Sequence, residues 1–360
     1  MQQGNGAYNQ RLLDLAQELI RIPSVAGREN QLIEKVAEEL RGVGFTVQYQ
    51  AVLGAGGPNL VASRGSGGPW FVTHADVYPA YEHPDPFRPR IENEGWLVGR
   101  GAVDTKGQIA ALLYSLQCTS QPANVSIVVD EERLGRGSEM LRVPLDSEGA
   151  VVLEPTNLHL GVAEAGSIEL EVSITGRPVH GSIPWKGLSA IDLAFEQYQR
   201  LCNLSFTGHK HPLFELGGWI NLGRINGGND TMVVPSRCLM EMEVGYTPGL
   251  SAQEVAKQVY EALDEAESVH MADIWEPWES DLNSDIIKQL KSAYSVSKGS
   301  EPKYWGVPSW TDGANIIRKG VSTVVFGAGS LADAHTWHEA MPISEMEDMA
   351  KVLTCFIQNW

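Results

Sequence analysis

Positive charge, long apolar runs and paired cysteines are all scarce in this chain of 360 residues. Lysine and arginine number 27 against 45 aspartates and glutamates, for a formal net charge of -18. A nucleic-acid surface needs a basic face, so nucleic acid is not an expected partner. The acid excess serves solubility, and any bias toward neutral or cationic substrates is screened beyond about 8 Å at physiological salt. No uncharged apolar stretch approaches the roughly 20 residues that cross a bilayer, so no membrane contact is expected. Residues 1–10 are polar and lack a basic-then-apolar signal pattern, which leaves the cytoplasm as the default compartment. Cys118, Cys202, Cys238 and Cys355 are widely separated and form no Cys-x-x-Cys pair. Each lies in an apolar or mixed segment, which predicts buried free thiols. No Gly-x-x-x-x-Gly-Lys-Ser/Thr loop is present to hold a nucleotide.

What is present is a chain long enough for two domains. Leu12-Leu13, Leu15-Ala16 and Leu19-Ile20 recur at helical spacing until Ile22-Pro23-Ser24. A second helix is expected over 29–40, then strands over 45–51, 60–63 and 70–73 separated by Gly-rich turns. Strand and helix signals alternate through Leu153, the pattern of an α/β fold with a mixed sheet flanked by helices. After Gly166 the pattern changes. Ile168, Leu170, Val172 and Ile174 alternate with Glu169, Glu171 and Ser173, as on a half-exposed strand. A helix over 188–201, strands over 219–224 and 238–246, a helix over 252–267 and a strand near 269–275 complete an α+β module. The expected organisation is therefore a discontinuous domain over 1–166 and 280–360, with an inserted domain over 167–279.

Five stretches end in side chains that seek metals, and four of them follow apolar, strand-like runs. They finish at His74 with Asp76, at Asp104, at Asp130-Glu131-Glu132, at Glu154 and at His335. The carboxyl ends of neighbouring parallel strands converge on one crevice, so these groups can meet there. Taken singly each has a plainer reading. His74 can be a satisfied core histidine, Asp104 a helix N-cap, and Glu131-Glu132 solvated acids, while Asp333, His338 and Glu339 flank His335 and leave the ligand choice there open. Together they suit zinc, since buried carboxylates without cations are costly. Asp76 shares a strand face with His74 if the strand continues, and can orient it.

The runs Gly99-Arg100-Gly101-Ala102-Val103-Asp104-Thr105-Lys106-Gly107, Asp130-Glu131-Glu132 and Glu154-Pro155-Thr156 carry a specific resemblance. With Asp85-Pro86-Phe87, Thr311-Asp312 and Ala334-His335-Thr336, the chain resembles the dinuclear zinc family of acetylornithine deacetylase, succinyl-diaminopimelate desuccinylase, aminoacylase and glutamate carboxypeptidase. That resemblance implies two Zn2+ ions, with Co2+ or Mn2+ as substitutes. His74, Asp104 and Glu154 would hold one, and Asp104, Glu132 and His335 the other. It further implies that Asp76 orients His74, that Glu131 is the general base, and that the inserted domain is a lid or dimerisation domain. His180, in Gly176-Arg177-Pro178-Val179-His180-Gly181-Ser182, would then reach the active site of a partner in a homodimer and stabilise an oxyanion.

The implied reaction is hydrolysis of an amide in an N-acyl amino acid. A zinc dipeptidase or carboxypeptidase is the alternative, and a non-catalytic binding protein retaining the fold is the alternative of another class. Several positions depart from the family pattern, among them His338, which replaces an acidic or amide residue near the metal-seeking histidine. Met232 stands where the family has a second Asn, and Gly245 where it has a substrate-binding Arg.

Overall fold

The structure, a computed structural model, describes residues 9–81, 83–93, 95–144 and 147–360. The polar N-terminal stretch therefore lies, as far as residue 8, outside the described residues. Contacts divide the chain into two compact units. The first holds the chain up to Val162 together with Ser280–Trp305 and Thr311–Trp360, and the second holds Ala163–Glu279 and Gly306–Trp310. The second unit thus begins before residue 167, the expected boundary, and takes in a short later segment as well. Backbone pairing explains both additions. Ala165 donates to the Val307 carbonyl at 3.0 Å, and Gly306 donates to that of Leu213 at 3.3 Å.

In the first unit a mixed sheet runs in the order Thr46–Gln50, Asn59–Arg64, Ala123–Val128, Trp70–His74, Ala150–Val152, Thr323–Val325, followed by Leu160–Glu164, whose last two residues are counted in the second unit. The four strands from Ala123–Val128 to Thr323–Val325 are mutually parallel, and the outer pairings are antiparallel. Trp70–His74, Ala123–Val128 and Ala150–Val152 are buried at every residue. Their unbroken apolar runs fit strands covered on both faces. Helix Gln10–Ile20 buries Leu12, Leu15, Ala16 and Leu19, and the Asn9 side chain caps it by accepting from the Leu12 amide. Helix Lys106–Gln117 packs against it and against a closing helix, Ile343–Gln358. That closing helix, which no motif announced, buries Met346, Met349, Leu353 and Phe356 at helical spacing.

Parallel pairing places the carboxyl ends of the four central strands together, and the metal-seeking stretches follow from it. His74 ends one strand, Asp130–Glu132 follow the second, Glu154 follows the third, and His335 lies in the chain beyond the fourth.

The second unit is a four-stranded antiparallel sheet in the order Trp219–Gly227, Arg237–Tyr246, Gly166–Thr175, Ser268–Trp275. The alternating face of Ile168, Leu170, Val172 and Ile174 packs on Ala194 and Leu201 of helix Ala190–Cys202 and on Val255 and Val259 of helix Ala252–Ala262. The latter helix is shorter than its apolar spacing predicts. It ends at Ala262, and Glu267 already donates to the Ser173 carbonyl at 2.9 Å to begin the next strand.

The thiols need correction. All four are free, but only Cys238 is buried; Cys118 and Cys202 are exposed and Cys355 is intermediate. Cys118 and Cys202 sit at helix carboxyl ends, where the chain turns away from the packed face.

Candidate metal centre

His74 ends its strand fully buried, with Nδ1 2.9 Å from the Asp76 backbone carbonyl. A carbonyl only accepts, so Nδ1 carries the proton and Nε2 presents its lone pair. That lone pair faces carboxylates: Asp104 Oδ1 at 2.9 Å, Glu154 Oε1 at 3.3 Å and Glu131 Oε2 at 3.8 Å. The sequence assigned Asp76 to orient His74 through its carboxylate. That carboxylate stands 3.8 Å from Nδ1, and the carbonyl makes the contact instead. The strand ends at His74, so its side-chain alternation does not continue to Asp76. The Asp76 carboxylate accepts instead from the amides of Glu132 at 2.9 Å and Glu131 at 3.2 Å.

Asp104 is nearly buried, and its two oxygens look in different directions. Oδ1 lies against His74, while Oδ2 lies 3.3 Å from His335 Nε2, which is also 3.0 Å from Glu132 Oε2. The aspartate is not the cap of the helix that follows; Thr105 holds that position, and its hydroxyl donates to the His74 carbonyl at 2.9 Å. His335 adopts a φ of 59°, uncommon for a side-chain-bearing residue, and its ring stacks on Tyr78 at 4.0 Å.

His74 Nε2, Asp104 Oδ1, Glu132 Oε1 and Glu154 Oε1 are buried and have no hydrogen-bond partner. Two groups, His74-Asp104-Glu132 and His74-Glu131-Glu154, each bring their ligand atoms within 4.8 Å of one another. Orphaned lone pairs at such spacing leave a deficit that cations fill. The donor set of imidazole nitrogens and carboxylate oxygens is one zinc accepts.

Titration reports the same crowding. Burial raises the Glu154 pKa to about 8, helped by the charges of Asp104 and Asp312 against the opposing pull of His74. Burial likewise raises Glu131 well above the carboxylate range, with Glu154, Glu132 and Asp312 adding to it. Burial lifts Asp76 to about 7. Burial disfavours a charged His335, yet Asp104 and Glu132 outweigh it and raise the pKa to about 10. Burial opposes ionisation of Asp104 too, but His335 and His74 hold its pKa below the usual value.

Of the residues singled out by sequence, His74, Asp76, Asp104, Glu131, Glu132, Glu154 and His335 are thus gathered in the first unit. His180 belongs to the second, in an exposed loop where Nδ1 lies 2.9 Å from the Ser182 hydroxyl. Two acids were missed as site residues. Asp312 is fully buried, and its charge acts on Glu131 and Glu154; its Thr-Asp pair was the only signal. Glu339 is also fully buried and binds the loop that presents Asp104. Its place four residues after His335 was its one signal, as an open candidate ligand; its support of the Asp104 loop gave none, because those partners are distant in the sequence.

The model of peptidase family M20/M25/M40 matches residues 70–359. The chain belongs to this family. Membership makes it a hydrolase of the metallopeptidase and deacylase class that acts on amide bonds. This M20 chain is 28% identical to an acetylornithine deacetylase of Proteus mirabilis over 97% of its length and 96% of the relative's. It is also 28% identical to a probable carboxypeptidase of Aspergillus terreus, over 93% of this chain and 83% of that one. Among solved structures a tripeptidase from Staphylococcus aureus superposes with a TM-score of 0.81 at 21% identity, covering 98% and 99% of the two chains. The M20 chain therefore shares that fold. No helix among its described residues is long and apolar enough to cross a membrane.

Proposed function

We propose that this protein is a dinuclear metal-dependent deacylase that hydrolyses the amide of an N-acyl amino acid. The observation that carries the reading is the set of buried, unpartnered ligand atoms of His74, Asp104, Glu132 and Glu154. His74, Asp104 and Glu154 would hold one Zn2+, and Asp104, Glu132 and His335 the other. Bound there, the pair supplies Lewis acidity that acidifies water and polarises an amide carbonyl.

The remaining work belongs to the chain. The Asp76 carbonyl fixes the His74 tautomer, and its carboxylate fixes the backbone from which Glu131 and Glu132 diverge. Glu131 takes a proton from water and returns it to the leaving amine. His180 donates to the developing oxyanion, supplied by the second copy in a homodimer. The second unit has features that suit such an assembly. Strand Trp219–Gly227 is an open sheet edge, and Ile183, Trp185, Leu188 and Phe195 are exposed.

Deacylation is favoured by the acetylornithine deacetylase relative, and the carboxypeptidase relative supports peptide cleavage as the second reading. Trp219 lies directly on Gly245, so the arginine fork that grips a substrate carboxylate is replaced there by an aromatic face. Substrates without a free carboxylate therefore belong in the test. Zinc- or cobalt-loaded protein is offered N-acetyl, N-succinyl and dipeptide substrates, each as free acid and as amide. Turnover of N-acyl amino acids supports the proposal. Exclusive cleavage of dipeptides would transfer it to the peptidase reading, and protein that takes up no metal would end both.

A further inference from the structure

We infer that Glu339 is a positioning residue that sets the Asp104 ligand loop against His335, and that both ions depend on it. The inference rests on the two-metal reading above.

The carboxylate of Glu339 is wholly buried, and among the described residues every hydrogen bond it accepts comes from one loop. Oε2 accepts from the Gly101 amide at 2.9 Å and from Arg100 Nη1 at 2.8 Å. Oε1 accepts from the Val103 amide at 2.8 Å and from the Asp104 amide at 3.0 Å. Its own backbone carbonyl accepts from Gly99 at 3.1 Å. The loop wraps around the carboxylate because Gly101 takes a φ of +87°, which favours glycine. Arg100, also buried, extends the clamp by donating to the carbonyls of Thr336 at 3.1 Å and Pro79 at 3.4 Å.

Three stretches are thereby tied to one group: the loop ending at Asp104, the segment carrying His335, and the chain just past His74 and Asp76. Asp104 sets one oxygen against His74 and the other against His335, and in the two-metal reading it is the ligand common to both ions, so its placement governs both. Both oxygens of Glu339 are committed to N–H donors, which makes it a support for ligands and not a ligand.

The chemistry demands glutamate specifically. Glutamine would turn an NH2 toward two donors whichever way its amide faced. Aspartate, shorter by one methylene, would not reach Arg100 and the Asp104 amide together. Groups that hold metal ligands in place are worth about 10–100-fold in metal affinity when removed.

The test compares the full-length parent with Glu339→Gln and Glu339→Asp. Zn2+ alone is titrated against a chelating indicator, with unfolding midpoints followed with and without zinc and the visible absorption of Co2+-loaded protein recorded. A parent that binds no zinc would overturn the two-metal reading itself, before the variants are compared. With a binding parent, the expected result is a 10–100-fold loss of affinity for both ions, a smaller zinc-induced rise in midpoint and an altered cobalt spectrum. Variants that hold two zincs within threefold of the parent, with the parent's cobalt spectrum, would overturn the positioning role. So would variants that fail to fold even with zinc present, since Glu339 would then be a folding element.

Discussion

Glu131 and Glu132 are chain neighbours that the proposal gives different work, and one carboxylate, that of Asp76, fixes the backbone of both. Glu131→Gln keeps size and shape while removing the base. It is expected to retain the metal content of the parent and to lose about 10²–10⁴-fold in kcat, the range general acid–base catalysis contributes. Metal analysis alongside initial rates decides it, and normal turnover would remove Glu131 from the base role. His180→Ala is expected to lower kcat about 10²–10³-fold, as loss of one oxyanion donor does. Its metal content should stay unchanged, and unchanged kinetics would take His180 out of the site. Residue types and their place after apolar runs were legible in sequence. What was not legible is which atom acts. His74 leans on a carbonyl where a carboxylate was expected, because the strand stops at His74. Glu339 read only as one more possible ligand beside His335, because it meets Arg100 and the Asp104 loop only after the chain has folded back on itself.

Elements were legible where a period had room to repeat. The alternation from Ile168 to Ile174 and the apolar spacing of Gln10–Ile20 both became the elements expected. Arg90–Glu92, Trp96–Val98 and Ala340–Pro342 form a three-stranded sheet that no period could announce, each being too short and one of them far along the chain. Gly245 shows a different limit. Its lack of a side chain reads in sequence only as a lost arginine. The strand pairing sets Gly245 opposite Trp219, and a Cβ there would lie 2.1 Å from the indole ring. The glycine is therefore the floor of an aromatic contact, and even alanine forces the ring away. Gly245→Ala is expected to destabilise the protein by about 1–3 kcal/mol, the usual cost of overpacking. Urea unfolding followed by tryptophan fluorescence measures this, with zinc content as the control that should not change. An unaltered midpoint would show that Trp219 moves aside freely.

For the whole molecule, the concentration of like charge makes stability depend on metal and pH together. In the metal-free protein Glu154 titrates near 8 and Asp76 near 7, above their ordinary 4.5 and 3.8, and His335 near 10 against 6.5. Each folded-state value is raised, so each group's contribution is fully present below its unfolded pKa and is lost as pH rises through the folded one. His74 and Glu131 are shifted in the same direction. Lys106 opposes them: burial lowers it to about 7 from 10.5, so its effect on stability improves as pH rises between those values. Asp104, held low, matters only in acid. Around the candidate centre the raised groups outnumber the lowered ones, which leaves it holding excess protons in the folded, metal-free chain between pH 6 and 8.5. Each excess proton costs about 1.4 kcal/mol of stability per pH unit of increase. Cations neutralise the same carboxylates and compete with the same protons, so their binding strengthens as pH rises. At a free concentration 100 times the dissociation constant they add about 2.7 kcal/mol. The unfolding midpoint of chelator-treated protein is therefore expected to fall from pH 6 to 8.5, while that of zinc-loaded protein falls less. The gap between the two curves, read by thermal unfolding at matched ionic strength, should widen steadily across that window. A gap that narrowed toward pH 8.5 would mean that the buried carboxylates are stabilised by something other than bound cations.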